Sequence, residues 1–290
     1  MSGSAPPAGA PAAAAAVTEF APAKVNLVLH VGPPEPNGLH GVCSLFASID
    51  LCDTVSLAPA PADEVVCAPP VEGPNLASAA LAAFRGAAPG ALPALCVEID
   101  KRIPVAAGLG GGSADAAAVL RACNRLAGDP LTTDDLRVLA APLGSDVPSP
   151  VEPHHALVTG TGEHVESLDL PPMTLLLVPA AGGLSTADVY AEADRIGSTR
   201  GELDPDAVRA LARLPLPELA QRLDNDLEAA AVALRPELVD TRAALLRHSA
   251  LAARVTGSGP TVFGVFADRR AAEAAASDLD ERALVVDLRD

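Results

Sequence analysis

Four glycines fall within five consecutive positions, Gly108-Leu109-Gly110-Gly111-Gly112, between an apolar segment and an alanine-rich one. Glycine loses more backbone entropy on ordering than any other residue, so a cluster of this density needs a reason. Residues 94–99 ahead of it read as a strand, residues 101–112 as a loop, and residues 113–126 as a strong helix. At a helix start, amides not covered by side chains can approach a polyphosphate, and the helix N-terminus adds positive potential. The Ser113 hydroxyl could join those amides or meet a phosphate-bound magnesium. Two familiar nucleotide motifs fail here. A Walker loop ends in Gly-Lys-Ser/Thr, and this loop holds no lysine. A dinucleotide fingerprint counted from Gly108 would need Gly or Ala where Ser113 stands. Taken alone, the cluster is equally well a flexible turn between strand and helix.

The surrounding chain can bury a large core. It has 290 residues, of which 49% are hydrophobic, a length that suggests two domains. Its net charge of −17 argues against nucleic acid or anionic lipid as a general partner, and no run of about 20 apolar residues could span a membrane. Residues 1–16 are uncharged Ala, Pro, Gly and Ser, with neither the basic start of a secretory signal nor the arginines of a transit peptide, and read as a disordered tail. The five cysteines, Cys43, Cys52, Cys67, Cys96 and Cys123, include no CxxC pair. They read as reduced, mostly buried thiols of a cytoplasmic protein.

Strand-like segments are expected at residues 20–31, 45–57 and 65–67, and Asn75 opens an alanine-rich helix to residue 84. Thr133 is placed as the cap of a further helix to residue 141. A hairpin is expected around Gly160-Thr161-Gly162. Pro171-Pro172 breaks the chain, and the domain boundary is placed there, dividing it into residues 17–170 and 171–290. Beyond it, helices at residues 186–196, 205–214, 216–223, 225–233, 236–248 and 270–279 mix with strands at 175–178, 254–255, 262–266 and 283–287. Without a regular βαβ period, this is an α+β chain.

With its flanks, Pro104-Val-Ala-Ala-Gly108-Leu-Gly-Gly-Gly-Ser113-Ala resembles the phosphate loop of the GHMP kinase superfamily. Three further segments follow in that superfamily's order. Pro22-Ala23-Lys24-Val25-Asn26-Leu27, then Asn37-Gly38-Leu39-His40, resembles the start of the branch that phosphorylates 4-diphosphocytidyl-2-C-methyl-D-erythritol. Leu143-Gly144-Ser145-Asp146-Val147-Pro148 is similar to its catalytic-aspartate segment, and Thr256-Gly257-Ser258-Gly259-Pro260 to its third glycine motif. The resemblance implies an N-terminal domain like ribosomal protein S5 domain 2, a ferredoxin-like C-terminal domain, and ATP with Mg2+ meeting a small-molecule substrate between them. It implies phosphorylation of that substrate's 2-hydroxyl, in the non-mevalonate route to isoprenoid precursors.

The same resemblance assigns roles. Asp146 would accept the hydroxyl proton, and Lys24 would hold that aspartate ionised and stabilise charge on the attacking oxygen. Pro104, Gly108, Leu109, Gly110, Gly111, Gly112 and Ser113 would hold the ATP phosphates, with Asn75 and Lys101 on the adenosine. Asn26 would bind erythritol hydroxyls, His40 the cytosine edge, Tyr190 the cytosine face and Thr186 a phosphate. Read singly, each is bland: Asp146 a turn residue, Lys24 a solvated charge, Asn75 a helix cap, His40 a loop residue, Tyr190 a core residue. Two departures stand out. Leu39 replaces a usual Tyr or Phe, and Ser149-Pro-Val-Glu-Pro-His154-His155 replaces an apolar stretch. Adjacent strand residues face opposite ways, so His154 and His155 do not make a metal site. Two other readings stay open: a GHMP kinase for another small alcohol, and a nucleotide-binding relative without turnover. The oligomeric state is not legible.

Overall fold

The computed structural model describes residues 16–36, 38–71, 73, 75–279 and 282–289. The tail expected over residues 1–16 therefore lies, apart from Ala16, outside the described residues, as does Asn37. In chain order the elements are β1 (Val17–Pro34), β2 (His40–Pro59), β3 (Glu64–Ala68), α1 (Leu76–Ala87), β4 (Leu95–Asp100), α2 (Gly111–Leu126), α3 (Thr133–Ala140), β5 (Ala156–Gly160), β6 (His164–Ser167), β7 (Thr174–Val178), α4 (Thr186–Ile196), α5 (Pro205–Leu211), α6 (Leu216–Ala220), β8 (Asp224–Asn225), α7 (Glu228–Leu234), α8 (Leu238–Arg247), β9 (Ala252–Val255), β10 (Val262–Phe266), α9 (Arg269–Leu279) and β11 (Leu284–Asp287).

A long antiparallel hairpin, β1 with β2, forms the first sheet's spine. Strand β4 pairs with the far half of β2, β3 lies outside β4, and β5 pairs with the near half of β2 and carries β6. The hairpin ladder slips between Pro22 and Lys24 and again between Asn26 and Val28. Such bulges twist a strand and re-aim its side chains. Here they bracket Lys24 and Asn26, two residues apart and so on one face, while Ala23, Val25 and Leu27 turn into the core.

After β7 the chain builds a second, wholly antiparallel sheet ordered β11-β7-β10-β9. With α4 to α8 between its first two strands and α9 before its last, this is the split βαββαβ arrangement of ferredoxin-like folds. The molecule is thus a two-part α+β fold, and both sheets press on one core. Val25, Leu27 and Leu45 of the first sheet share a cluster with Leu175, Leu177 and Phe263 of the second.

Besides shifts of a few residues at other element ends, three details differ from the sequence reading. Thr132, not Thr133, caps α3: its hydroxyl accepts from Asp135 N while the Asp135 carboxylate accepts from Thr132 N, a reciprocal capping box. Helix α2 starts at Gly111, two residues earlier than expected, because Gly110 takes a left-handed conformation (φ 71°) that turns the loop into the helix. Asn225 does not open a helix. With Asp224 it forms β8, parallel to Val28-Leu29 of β1.

Candidate active site

One cleft of about 800 Å³ runs between the glycine loop and the second sheet's helices. Each of the fifteen residues expected to serve catalysis, ATP or substrate lines it: Lys24, Asn26, His40, Asn75, Lys101, Pro104, Gly108, Leu109, Gly110, Gly111, Gly112, Ser113, Asp146, Thr186 and Tyr190. They come from β1, β2, the starts of α1 and α2, the loops after β4 and α3, and the first turns of α4, so tertiary packing alone brings them together.

Lys24 stands at the centre. Its ammonium donates to Asn26 Oδ1 at 2.6 Å and lies 3.3 Å from Asp146 Oδ2. It also sits 4.8 Å above the Phe46 ring centre, a cation–π contact that sequence reading missed. Asn26 is buried and fully engaged. Its Nδ2 donates to Ser44 Oγ (2.9 Å), and its backbone N–H donates to Thr256 Oγ1 (2.9 Å). Asn26 therefore fixes the lysine's approach. Asp146 lies between two short 3-10 turns, Ala141–Leu143 and Ser149–Val151. The neighbouring Val147 is fully buried and Val151 nearly so, which anchors the segment and leaves the aspartate facing the cleft.

The glycine loop is gripped from both sides. Lys24 N donates to Leu109 O at 3.0 Å. A side chain at Gly108, where φ is +76°, would stand 2.5 Å from Thr256 O and 2.9 Å from Gly259 O. The third glycine motif thus packs directly on the first, and only a glycine fits at this crossing. Asn225 holds that motif: its Nδ2 donates to Val255 O and Gly257 O at 2.8 and 2.9 Å, and its Oδ1 accepts from Leu227 N.

At the end of the cleft where α1 and α2 begin, Asn75 caps α1 by accepting from Ala77 N and donates to Cys67 Sγ. Lys101 is buried between Asp53 and Asp115, donating to both. Asp53, fully buried on β2, also accepts from the N–H groups of Arg102 (2.5 Å) and Ile103 (2.8 Å). This triad ties β2, the loop and α2 into one unit. Burial lifts the Asp115 carboxyl to about 7 against the pull of the Lys101 ammonium, with Asp53 adding to the rise. Lys101 itself is raised: burial acts to lower it, and the two carboxylates outweigh that. Neither aspartate was singled out from the sequence, where isolated acidic residues carry no signal.

At the other end, Thr186 Oγ1 meets Ser258 Oγ at 3.0 Å. The Tyr190 phenol is raised by burial and then by the charge of Asp146. Its ring contacts that of His40, which is buried. Leu39 is half exposed on the cleft rim. In the divergent segment, His155 accepts from Ser48 N at 3.1 Å through Nδ1 and serves the backbone of β2. His154 lines a small cavity behind Lys24 and Asp146.

Known proteins resemble this chain over most of its length. The family described as "GHMP kinases N terminal domain" matches residues 75–151, and "GHMP kinases C terminal" matches residues 207–284. The 4-diphosphocytidyl-2-C-methyl-D-erythritol kinase of Kineococcus radiotolerans is 42% identical over 293 aligned positions, covering 94% of this chain and 89% of its own. That of Streptomyces coelicolor is 41% identical, covering 88% of this chain and 89% of its own. A solved 4-(cytidine 5'-diphospho)-2C-methyl-D-erythritol kinase superposes with a TM-score of 0.78 at 32% identity, covering 94% of this chain and all of that one. The homoserine kinase of Cytophaga hutchinsonii, at 19% identity and a TM-score of 0.70, shares the fold over 94% of each chain.

Proposed function

Because this chain belongs to the GHMP kinases and, among them, to the family of 4-diphosphocytidyl-2-C-methyl-D-erythritol kinases, we propose that it transfers the γ-phosphoryl group of ATP to the 2-hydroxyl of 4-diphosphocytidyl-2-C-methyl-D-erythritol, a step toward isoprenoid precursors. The observation that carries the reading is the Lys24–Asp146 pair, 3.3 Å apart, in one cleft with the glycine loop. Phosphoryl transfer needs positioning and charge stabilisation more than covalent chemistry. Asp146 takes the proton of the attacking hydroxyl. Lys24, held by Asn26 and Phe46, lies where negative charge gathers between nucleophile and γ-phosphate. The amides from Gly110 to Ser113, at the positive end of α2, receive the phosphates. Asn75 and Lys101 border the adenosine, and His40, Thr186 and Tyr190 border the cytidine substrate.

Magnesium fits as a companion of the nucleotide rather than as a protein-caged ion. Magnesium commonly keeps its waters and binds phosphates plus one or two protein oxygens. The Ser113 hydroxyl, on the cleft, is an oxygen of that kind. When bound, the ion neutralises charge on the β- and γ-phosphates. The substrates and the five free thiols suit a cytoplasmic enzyme, the compartment we assign.

Leu39 at the cleft rim favours one second reading, a small alcohol without a base. ADP release measured with 4-diphosphocytidyl-2-C-methyl-D-erythritol, homoserine, mevalonate and a sugar separates the two. Turnover highest on the cytidine substrate is expected. Turnover on another alcohol alone would overturn the assignment.

A further inference from the structure

The small cavity behind the Lys24–Asp146 pair has a volume of about 20 Å³. A water needs about 10–15 Å³ on that measure, so there is room for one. Lys24, Phe46, Gly110 and Asp146 line both this cavity and the cleft, and so form the wall between them. Ser48 of β2 and His154, just before β5, line the cavity but not the cleft. Ser48 is 5% exposed, and among the described residues no group hydrogen-bonds its hydroxyl. A buried hydroxyl in a polar pocket of this size is where an ordered water finds a partner.

Both histidines of the divergent segment serve this arrangement. His155 is buried, accepts from Ser48 N through Nδ1 and accepts from Leu168 N through its carbonyl. The same carbonyl lies 3.2 Å from His154 Nδ1. A carbonyl oxygen only accepts, so Nδ1 carries a hydrogen and the neutral His154 ring keeps its lone pair on Nε2. His154 lines the cavity yet is only half-buried, so the residue also meets solvent.

The Asp146 side chain is 38% exposed in the open cleft, and two substrates filling that cleft would cover it. The proton it takes from the substrate hydroxyl then needs an outlet that the substrates do not block. Resting on the assignment of Asp146 as the base, we propose that His154 is a positioning residue for proton release: one water in the small cavity, held by the Ser48 hydroxyl, links the Asp146 carboxyl to His154 Nε2. As the substrate oxygen bonds to the γ-phosphorus and the bond to ADP breaks, the hydroxyl proton passes to Asp146. Asp146 gives it to the water, which gives one of its own to Nε2. The imidazolium then returns a proton to solvent, leaving Asp146 ionised and His154 neutral. One proton leaves for each phosphoryl group transferred, and no further reactant is needed.

The test uses His154→Gln, His154→Ala and Ser48→Ala in the full chain, with ADP release from the cytidine substrate as the readout. The glutamine can still donate to the His155 carbonyl but cannot carry a proton. For His154→Gln, kcat should fall about tenfold, less than the loss of about 10²–10⁴-fold expected when a general base is removed, because Asp146 remains. The KM values for ATP and for the cytidine substrate should stay as in the wild type. Added imidazole should restore kcat in His154→Ala in proportion to its concentration and leave the wild type unchanged, a response that a merely structural histidine would not give. Ser48→Ala should lower kcat by a smaller factor, again with both KM values unchanged. An unchanged kcat in His154→Gln would overturn the inference, as would a loss in His154→Ala that imidazole leaves in place. If Asp146→Ala is as active as the wild type, the base assignment fails and this inference fails with it. If Asp146→Ala is inactive and His154→Gln indifferent, this inference alone fails.

Discussion

Replacing Asp146 with alanine removes the carboxylate beside the Lys24 ammonium and nothing that the glycine loop is built from. Turnover should fall by about 10²–10⁴-fold, the usual contribution of a general base, with ATP binding nearly intact. Steady-state rates beside calorimetric ATP titration check this, and near wild-type turnover would refute the role. Gly110→Val acts on two things at once. Its φ of +71° strains any branched side chain, and the added Cβ would lie 3.1 Å from Lys24 Cε and Cγ. ATP affinity and turnover should therefore drop together in a folded protein. Unchanged ATP affinity in a folded variant would sink the phosphate-cradle reading.

Individual elements depend on buried polar residues that no motif announces. Asn225 on β8 satisfies two carbonyls and one N–H around the third glycine motif. Asn225→Ala leaves these groups unpaired at a buried position, at a cost of about 1–3 kcal/mol, measurable as a lower urea midpoint. Because Gly257 then loses its tether beside Lys24, turnover should fall as well. At the other end of the cleft, Asp115 on α2 imposes a pH dependence. Burial lifts its carboxyl from the ordinary 3.8 to about 7. Between those values the folded state holds more protons than the unfolded one. Asp115 thus contributes stability at low pH that is lost as pH rises through that window. Asp115→Asn should flatten the fall in stability across the window, read from urea midpoints at several pH values. A slope identical to that of the wild type would contradict a raised Asp115 carboxyl.

Across the whole molecule, the two sheets and the cleft share one apolar cluster, so the cleft's walls are parts of the core rather than appended loops. The thiols respond to this packing. Burial pushes Cys43 up to about 11 and Cys123 up to about 12, and both are buried. Cys67 is half buried and lines the cleft beside Asn75. All five should titrate as free thiols in denaturant without reductant. In the native protein Cys67 should be labelled well before Cys43 and Cys123, and ATP should slow it. Mass spectrometry of labelled peptides checks the order, and a disulfide or early labelling of Cys123 would contradict it.

Much of the chain is legible in its sequence because the signals are local. Alternating apolar residues mark β1 and β2, alanine-rich periodicity marks α1 and α2, and the glycine cluster marks the loop between β4 and α2. Errors fall where one residue decides a boundary: the capping oxygen belongs to Thr132, and the left-handed turn to Gly110. The site residues are recognisable as motifs, each ambiguous by itself. What the sequence determined is which segments are strand, helix and glycine-rich turn, since those follow from period and backbone freedom. What only the tertiary structure decided is who faces whom. The bulges that aim Lys24 and Asn26, the two-residue β8, the Asp53–Lys101–Asp115 triad and the Ser48–His155 contact all join residues far apart in sequence. Their partners are chosen by desolvation inside a shared core, where a buried donor must find whichever acceptor the packing brings within reach.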